Sequence, residues 1–402
     1  MTKNGKAAKA LSIGIIASFI GTFISIIIAT LLSGTIASFA LVLGPWEYFS
    51  LCFMAISLVV GLSNGSIFKG LLGAFLGVWL ATIGSDSVTN TLRFTFGNFN
   101  LYGGIPVVCL LLGTFAMQQV ANGYARGNQE MPTIDTKSLK GFGLTVKDFS
   151  QNAKVIVVSF LIGLWIGFLP GMGSGVSNMV AYGQAKKMSK HPELFGTGYE
   201  AGVWATEVAN NASVGGALIP LISLGIPGDG TCVLLLSAMT IHGLTPGPMF
   251  IYQNPGLAYL IFATVLVSAV LIAVIELLTK RWFPYILKAP YHYLYSGILT
   301  VCFVGAFAAS TSMFAVYIMI FFGLVGVVLE YCNIPMGPMM LAYILGANLE
   351  TYFRRGLSYS RGDVTSFVTH PISAIFLLIG LYSLISPLVK YMIKASKAKK
   401  LT

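Results

Sequence analysis

The sequence predicts an all-α polytopic membrane protein, and three observations carry that expectation. Of 402 residues, 56% are hydrophobic and only 9% are charged, where a soluble chain carries about 25% charged residues. Apolar runs recur along the whole length, and runs of about 18 residues or more read as helices that cross a bilayer. The lysines and arginines behind a net charge of +11 gather in short loops and at both termini. Cytoplasmic segments of membrane proteins carry that excess, so nucleic acid is not the implied partner.

Taken in order, Lys3, Lys6 and Lys9 precede a first span near 10–33, without the features of a signal peptide,. Further spans follow near 46–63, 67–84 and 105–123. With the N-terminal lysines inside, four crossings return the chain to the cytoplasm for a polar loop at 125–153. This loop holds Arg126, Lys137, Lys140 and Lys147 against Glu130, Asp135 and Asp148. An apolar run at 154–170 then breaks at Pro170 and Gly171, and a short helix at 174–187 ends in "KKMSKHPELFG". A re-entrant hairpin bent at 170–175 returns Lys186, Lys187 and Lys190 to the inside, as the charge rule asks. Residues 199–243 hold a second break and make a net crossing. The remaining spans lie near 256–279, 291–309, 313–331, 335–352 and 371–393. Arg354, Arg355 and Arg361 fall outside in this topology, against the rule, while Lys394, Lys397, Lys399 and Lys400 form a basic juxtamembrane tail,. The expected divisions are ordinary helices over 1–124, the loop 125–153, a broken-helix module over 154–250, and further helices with the tail over 251–402. Cys52, Cys109, Cys232, Cys302 and Cys332 sit in apolar surroundings without CxxC spacing and read as packing thiols,. No metal-ligand set and no cofactor motif is present. Gly171-x-Gly173-x-Gly175 lacks the βαβ context of a dinucleotide fingerprint, and there is no P-loop,.

The two breaks, "GFLPGMGSG" and "LISLGIPGDGTC", are the densest chemical signal. Proline removes a helix hydrogen bond and an interior glycine costs about 1 kcal/mol. A lone Pro reads as a kink. Here Pro170, Gly171, Gly173 and Gly175 cluster in one segment, and Gly225, Pro227, Gly228 and Gly230 in the other. Non-helical backbone at membrane depth persists only inside protein or along a watery cavity, so discontinuous helices are expected. The N-terminus of each second half-helix exposes amides that attract an anion. Ser174 and Asp229 stand where N-cap residues belong. Asp229 leaves alternatives open: its carboxylate occupies those amides or repels an anion, helps bind a cation, or faces away.

Between the breaks runs "EVANNASVGG", in which Glu207, Asn210 and Asn211 fall within about one turn and are expected on a common side,. Polar groups at membrane depth line a pathway or pair between helices. Beside a break, a site is the stronger reading. The residues read as binding are therefore Gly171, Gly173, Ser174, Asn210, Asn211, Gly225, Pro227 and Gly228, with Glu207 and Asp229 as candidates for a coupling ion.

A weak internal repeat relates "GPWEYFSLCFMAISLVVGLSNGSIFKGLLGAFLG" from Gly44 to "APYHYLYSGILTVCFVGAFAASTSMFAVYIMIFFGLVG" from Ala289. Pro45 pairs with Pro290, a separation of 290 − 45 = 245, and Gly77 falls close to Gly323. In the topology above the copies run in opposite directions, the inverted repeat of secondary transporters. Subtracting 245 from 154–243 lands before Met1. The fold class is therefore an incomplete inverted-repeat secondary transporter with discontinuous, partly re-entrant helices.

"FLPGMGSG", "SKHPELFGTGYEAGVWATEVANNASVGGALIPLISLGIPGDGTCVLLL" and "IHGLTPGPMF" resemble the TctA family, the large membrane subunits of bacterial tripartite tricarboxylate transporters. "RFTFGNFNLYGGIP" and "RRGLSYSRGD" extend the resemblance over nearly the whole chain. It implies uptake of citrate-like or other organic carboxylates across the bacterial inner membrane, driven by sodium or protons. It also implies a small membrane subunit and an extracytoplasmic solute-binding protein as partners. The family's Pro-Gly loop maps to 170–175, its Asn-Asn to Asn210 and Asn211, and its Gly-Ile-Pro-Gly to 225–228. Relatives of this kind carry a further N-terminal region of roughly a hundred residues with its own breaks. A separately encoded N-terminal piece is therefore an expected partner, and a non-transporting fragment or an assembly or regulatory subunit is the alternative reading. No intramembrane catalytic pair supports an enzyme.

Overall fold

The computed structural model describes residues 1, 6–62, 66–86, 88–127, 143–170, 173–280, 282 and 290–399. The chain is almost entirely helical, and it divides into two units, each built from two separated stretches. Unit 1 joins Met1–Leu41 to Glu130–Ala289, and unit 2 joins Val42–Gln129 to Pro290–Thr402. This division differs from the sequence-based one. The first helix leaves its sequence neighbours and joins the broken-helix module, because that module offers it a face of small residues.

Unit 1 contains α1 (Ala7–Ala40), α6 (Val146–Phe168), α7 (Gly173–Met188), α8 (Glu200–Leu224), α9 (Gly230–Ile241), the short α10 (Pro248–Gln253) and α11 (Pro255–Thr279). Its axis is α8, buried along most of its length from Ala201 to Ser223. Close approach depends on small residues. A Cβ on Gly21 of α1 would lie 2.7 Å from the carbonyl oxygen of Val208, and Ser223 Oγ donates to Ser33 O at 2.9 Å. A Cβ on Gly163 or Gly167 of α6 would lie 2.7 Å from Cα of Ala209 or Ser213. Both registers rise together, so α1 and α6 run parallel to α8. In contrast, α7 runs against it: Ser177 Oγ donates to Ala209 O at 3.3 Å, while Gly202 faces the Tyr182 ring.

The N-termini of the three parallel helices meet at one charge cluster. Lys9 Nζ lies 2.6 Å from Asp148 and 2.7 Å from Glu200. Asp148 also closes a capping box with Thr145,. This box explains why α6 starts at Val146, eight residues ahead of the apolar run. Its first two turns are polar because they serve that cluster. Residues 128–142 of the expected loop lie outside the described residues.

Unit 2 contains α2 (Pro45–Leu62), α3 (Ile67–Ala81), the two-residue antiparallel strands β1 (Gly84–Ser85) and β2 (Leu92–Arg93), α4 (Val107–Leu111), a π-helical segment Leu112–Met117, and α5 (Gln118–Arg126). It continues with α12 (Tyr291–Ser310), α13 (Met313–Tyr331), α14 (Met336–Tyr359), α15 (Ser366–Thr369) and α16 (Pro371–Lys399). A Cβ on Gly77 of α3 would lie 2.8 Å from Tyr343 N of α14. A Cβ on Gly113 would lie 2.9 Å from Gly323 N of α13. Glu330 of α13 accepts hydrogen bonds from Gln118 and Asn122. The β1–β2 hairpin is pinned to α14 by Asp86, Arg93, Glu350 and Arg354, with Arg354 Nη1 donating to Asp86 at 2.8 Å.

Among the described residues, α1, α6, α11, α12 and α13 are long and apolar enough to cross a membrane. The span expected at the start of 199–243, now α8, is absent from that set. It carries Glu200, Glu207, Asn210 and Asn211, and a helix sheathed by protein needs no lipid-compatible surface.

Candidate functional site at two helix breaks

The α6–α7 break and the α8–α9 break come together inside unit 1. At the first, Leu169 is extended (φ −80, ψ 120), as a residue before proline must be,. Gly173 takes φ +57 and opens α7. At the second, Gly225 closes α8 in the left-handed region (φ +72), and Ile226 N–H reaches back to Pro220 O at 3.2 Å. With Gly225 N–H donating to Leu221 O at 3.0 Å, this is an αL ending, after which Pro227 cannot continue the helix.

The chain then folds back on α8 before α9 starts. A Cβ on Gly228 would lie 2.7 Å from Ala217 Cα and 2.8 Å from Gly167 O. A Cβ on Gly173 would lie 3.1 Å from Cβ of Asp229. The N-termini of α7 and α9 therefore open beside each other. Pro227 and Gly228 are buried beneath them, Ser174 and Asp229 are half-buried, and Gly175, Gly230 and Thr231 are exposed. Two first turns and two positive dipole ends, the kind of donor set that favours an anion, thus face one place, although the α9 turn already donates to its own Asp229,.

The cap of α9 is Asp229, whose Oδ1 accepts from Cys232 N at 2.8 Å. Of the roles left open for this carboxylate, the structure has it on the amides of its own helix. Ser174 lies inside the first turn of α7 rather than at its cap, because the helix already begins at Gly173. Gly225 packs against the Pro246 carbonyl, where a Cβ would lie 2.6 Å away, and so shapes the turn without facing α7. Gly171 lies outside the described residues.

Of Glu207, Asn210 and Asn211, Glu207 and Asn211 are held by α1. Asn211 donates from Nδ2 to Ser18 Oγ at 2.9 Å and to Glu207 O at 3.0 Å, and its Oδ1 accepts from Thr22 Oγ1 at 3.3 Å. Glu207, one turn earlier, accepts from the Ser18 hydroxyl. Asn210 points about 100° from Asn211 around the helix, on the face that carries Ala217, two turns on, against Gly228. Asn210 thus belongs with the breaks, and Asn211 and Glu207 belong with α1. On α7, Asn178 has a buried Oδ1 without a hydrogen-bond partner among the described residues. Sequence reasoning passed over Asn178, Ser18 and Thr22. The available signal was the i, i+4, i+7 spacing of Ser18, Thr22 and Ser25 within an apolar span,.

The Tripartite tricarboxylate transporter TctA family matches residues 1–341, which include both breaks. The chain belongs to the TctA family. An Agrobacterium vitis protein described as an uncharacterized 52.8 kDa protein in the TAR-I ttuC' 3'region is 32% identical over 381 residues. That alignment covers 95% of this chain and 76% of the relative. A second protein of the same organism, described as an uncharacterized protein in the TAR-II ttuC' 3'region, is 35% identical over 227 residues, 56% of this chain and 94% of its own. No solved structure matches. TctA proteins are transport components and not enzymes, so this TctA chain is a membrane subunit of a transporter whose family name implies a tripartite system with further subunits.

Proposed function

We propose that this TctA chain is a multi-pass subunit of the bacterial inner membrane that takes up tricarboxylates, such as citrate, or related organic carboxylates. Transport is driven by a sodium or proton gradient. The observation that carries this reading is the meeting of the α7 and α9 N-termini across Gly173 and Asp229. A carboxylate bound there accepts from the first-turn amides of α7 and from those of α9 that Asp229 leaves open, with Gly173, Ser174 and Asn210 on one side and Pro227 and Gly228 beneath. The partners are a small membrane subunit, an extracytoplasmic solute-binding protein and, where it is separately encoded, an N-terminal piece.

The contacts of α3 with α14, and of α13 with the Leu112–Met117 segment and α5, support an inverted repeat within unit 2. Gly77 and Gly323, paired by the sequence repeat, each sit at a helix crossing there. Labelled citrate and other di- and tricarboxylates, offered to cells that express the chain with its partners, test the whole reading. Gradient-dependent uptake is expected. Gly173→Val, which forces a branched side chain into the left-handed region beside Asp229, is expected to reduce it about tenfold or more. Absence of gradient-dependent uptake of any carboxylate, with all partners supplied, overturns the proposal.

A further inference from the structure

Glu207 and Asn211 share a second polar locus, around α8 from the face that meets the breaks. A cavity of about 300 Å³ opens there between α1, α8 and α11. Its polar lining is Ser18 and Thr22 of α1, Asn211 of α8, and Ser268 and Glu276 of α11. Glu207 stands behind Ser18, whose hydroxyl it engages, and is close enough to Glu276 for the two charges to interact.

The hydrogen bonds set the direction of the donor atoms. The amide nitrogen of Asn211 is turned to Ser18 and to its own helix, which leaves Oδ1 on the Thr22 side. Each group offered to the cavity can present oxygen, as a hydroxyl, an amide carbonyl or a carboxylate. Such a set selects a hard cation. Two carboxylates in such a cavity are costly unless each takes up a proton or a cation stands beside them. Neither Glu207 nor Glu276 is in an ion pair among the described residues. The nearest cation along α11 is Lys280, one turn on from Glu276, and its ammonium donates to Ser12 Oγ at 3.3 Å. Hydrogen bonding between α1 and α8 gives Glu207 one partner, Ser18, and does not account for Glu276. Among the described residues no group of three or more His, Cys, Asp or Glu side chains is assembled for a metal, which favours a monovalent ion over a divalent one.

We infer that the α1–α8–α11 cavity binds one sodium ion, with oxygens from Glu276, Asn211 and Thr22 and with Glu207 supplying the second charge behind Ser18. As the ion that drives uptake, it rests on the transport reading above; as a binding site, it does not. The site and the helix breaks lie on different faces of one helix, α8, so the sodium and the carboxylate share a rigid element without sharing a contact.

The test measures equilibrium binding of radiolabelled sodium to the purified full chain in lipid nanodiscs, with no carboxylate and no partner present. Saturable binding is expected, together with a higher melting temperature in sodium than in potassium chloride. Glu276→Gln and Thr22→Val are close in shape to the native residues. Each is expected to weaken binding by about tenfold or more while eluting as a single species. Absence of saturable binding and of a sodium-specific melting shift in the native chain overturns the site. So does unchanged affinity in both variants. Carboxylate uptake that follows pH and ignores sodium removes the ion from transport in favour of a proton. Sodium binding that persists where no carboxylate is transported leaves this site standing and overturns the transport reading instead.

Discussion

Gly228 is the residue on which the geometry of the breaks turns most directly. A methyl group there meets backbone on two sides, Ala217 Cα at 2.7 Å and Gly167 O at 2.8 Å. Neither can rotate away, so Gly228→Ala is expected to cost about 1–3 kcal/mol. The cost is read as a lower melting temperature in detergent, accompanied by loss of uptake. The two breaks were legible as sequence, because proline and glycine act through their own backbone constraints. Their meeting was not legible: the fold-back after Gly225 that sets Asp229 beside Gly173 depends on contacts between residues 56 positions apart. The separation of Asn210 from Asn211 was hidden for a similar reason. A helical wheel gives their relative angle, but not which neighbour stands on each side.

Asp86 offers a residue-scale prediction in pH. The Thr89 hydroxyl, the Val88 amide and then Arg354 hold its carboxyl down at about 2, against an ordinary aspartate near 3.9. A depressed folded value means the stabilisation is fully present above about pH 4 and is lost as pH falls toward 2. The hairpin segment 84–104 is therefore expected to resist pepsin at pH 4 and be cut at pH 2. Asp86→Asn is expected to be cut at both.

Among the elements, the α6–α8 pair rests on two glycines one turn apart, Gly163 and Gly167, against Ala209 and Ser213. Gly163→Val is expected to push these helices apart and release the α6–α7 hairpin. Protease cleavage within 146–188 that is absent in the native chain reads this directly; an unchanged digest would place the binding energy elsewhere. Helix positions were largely legible from apolar periodicity and from the stops at Pro and Gly. Two of the larger misses, the early start of α6 and the extension of α14 to Tyr359, share one cause. Both are polar ends held by side-chain pairs, Thr145 with Asp148 and Glu350 with Arg354. Hydropathy does not register such pairs.

For the whole molecule, the informative fact is that α1 belongs with residues 130–289 and not with α2 and α3. A chain opened within 128–142 is expected to stay assembled, because Gly21 and Ser33 keep α1 seated on α8. Co-expressed fragments 1–135 and 136–402, with a tag on one, check this by co-purification in detergent. Because α3 and α5 of the shorter fragment also pack on α14 and α13 of the longer one, replacing Gly21 with Leu is expected to weaken capture without abolishing it. The sequence repeat pointed toward unit 2 but could not reveal this exchange, since it compares segments with one another and carries no record of what each packs against.

The unequal polarity of α1 and α8 also sets an order for biogenesis. At synthesis α1 emerges before α8, and it is apolar enough to wait alone in lipid. Its partner begins at Glu200, so 200 − 40 = 160 residues separate the end of α1 from the start of α8. At about 5–20 residues per second that is a delay of roughly 8–32 seconds. With Glu207, Asn210 and Asn211 along it, α8 is a poor candidate for release into bare lipid, and it has a groove ready when it arrives. The earlier of the two helices is in this sense a resident chaperone for the helix that carries the breaks, and a cell that loses α1 should find α8 stranded at the translocon.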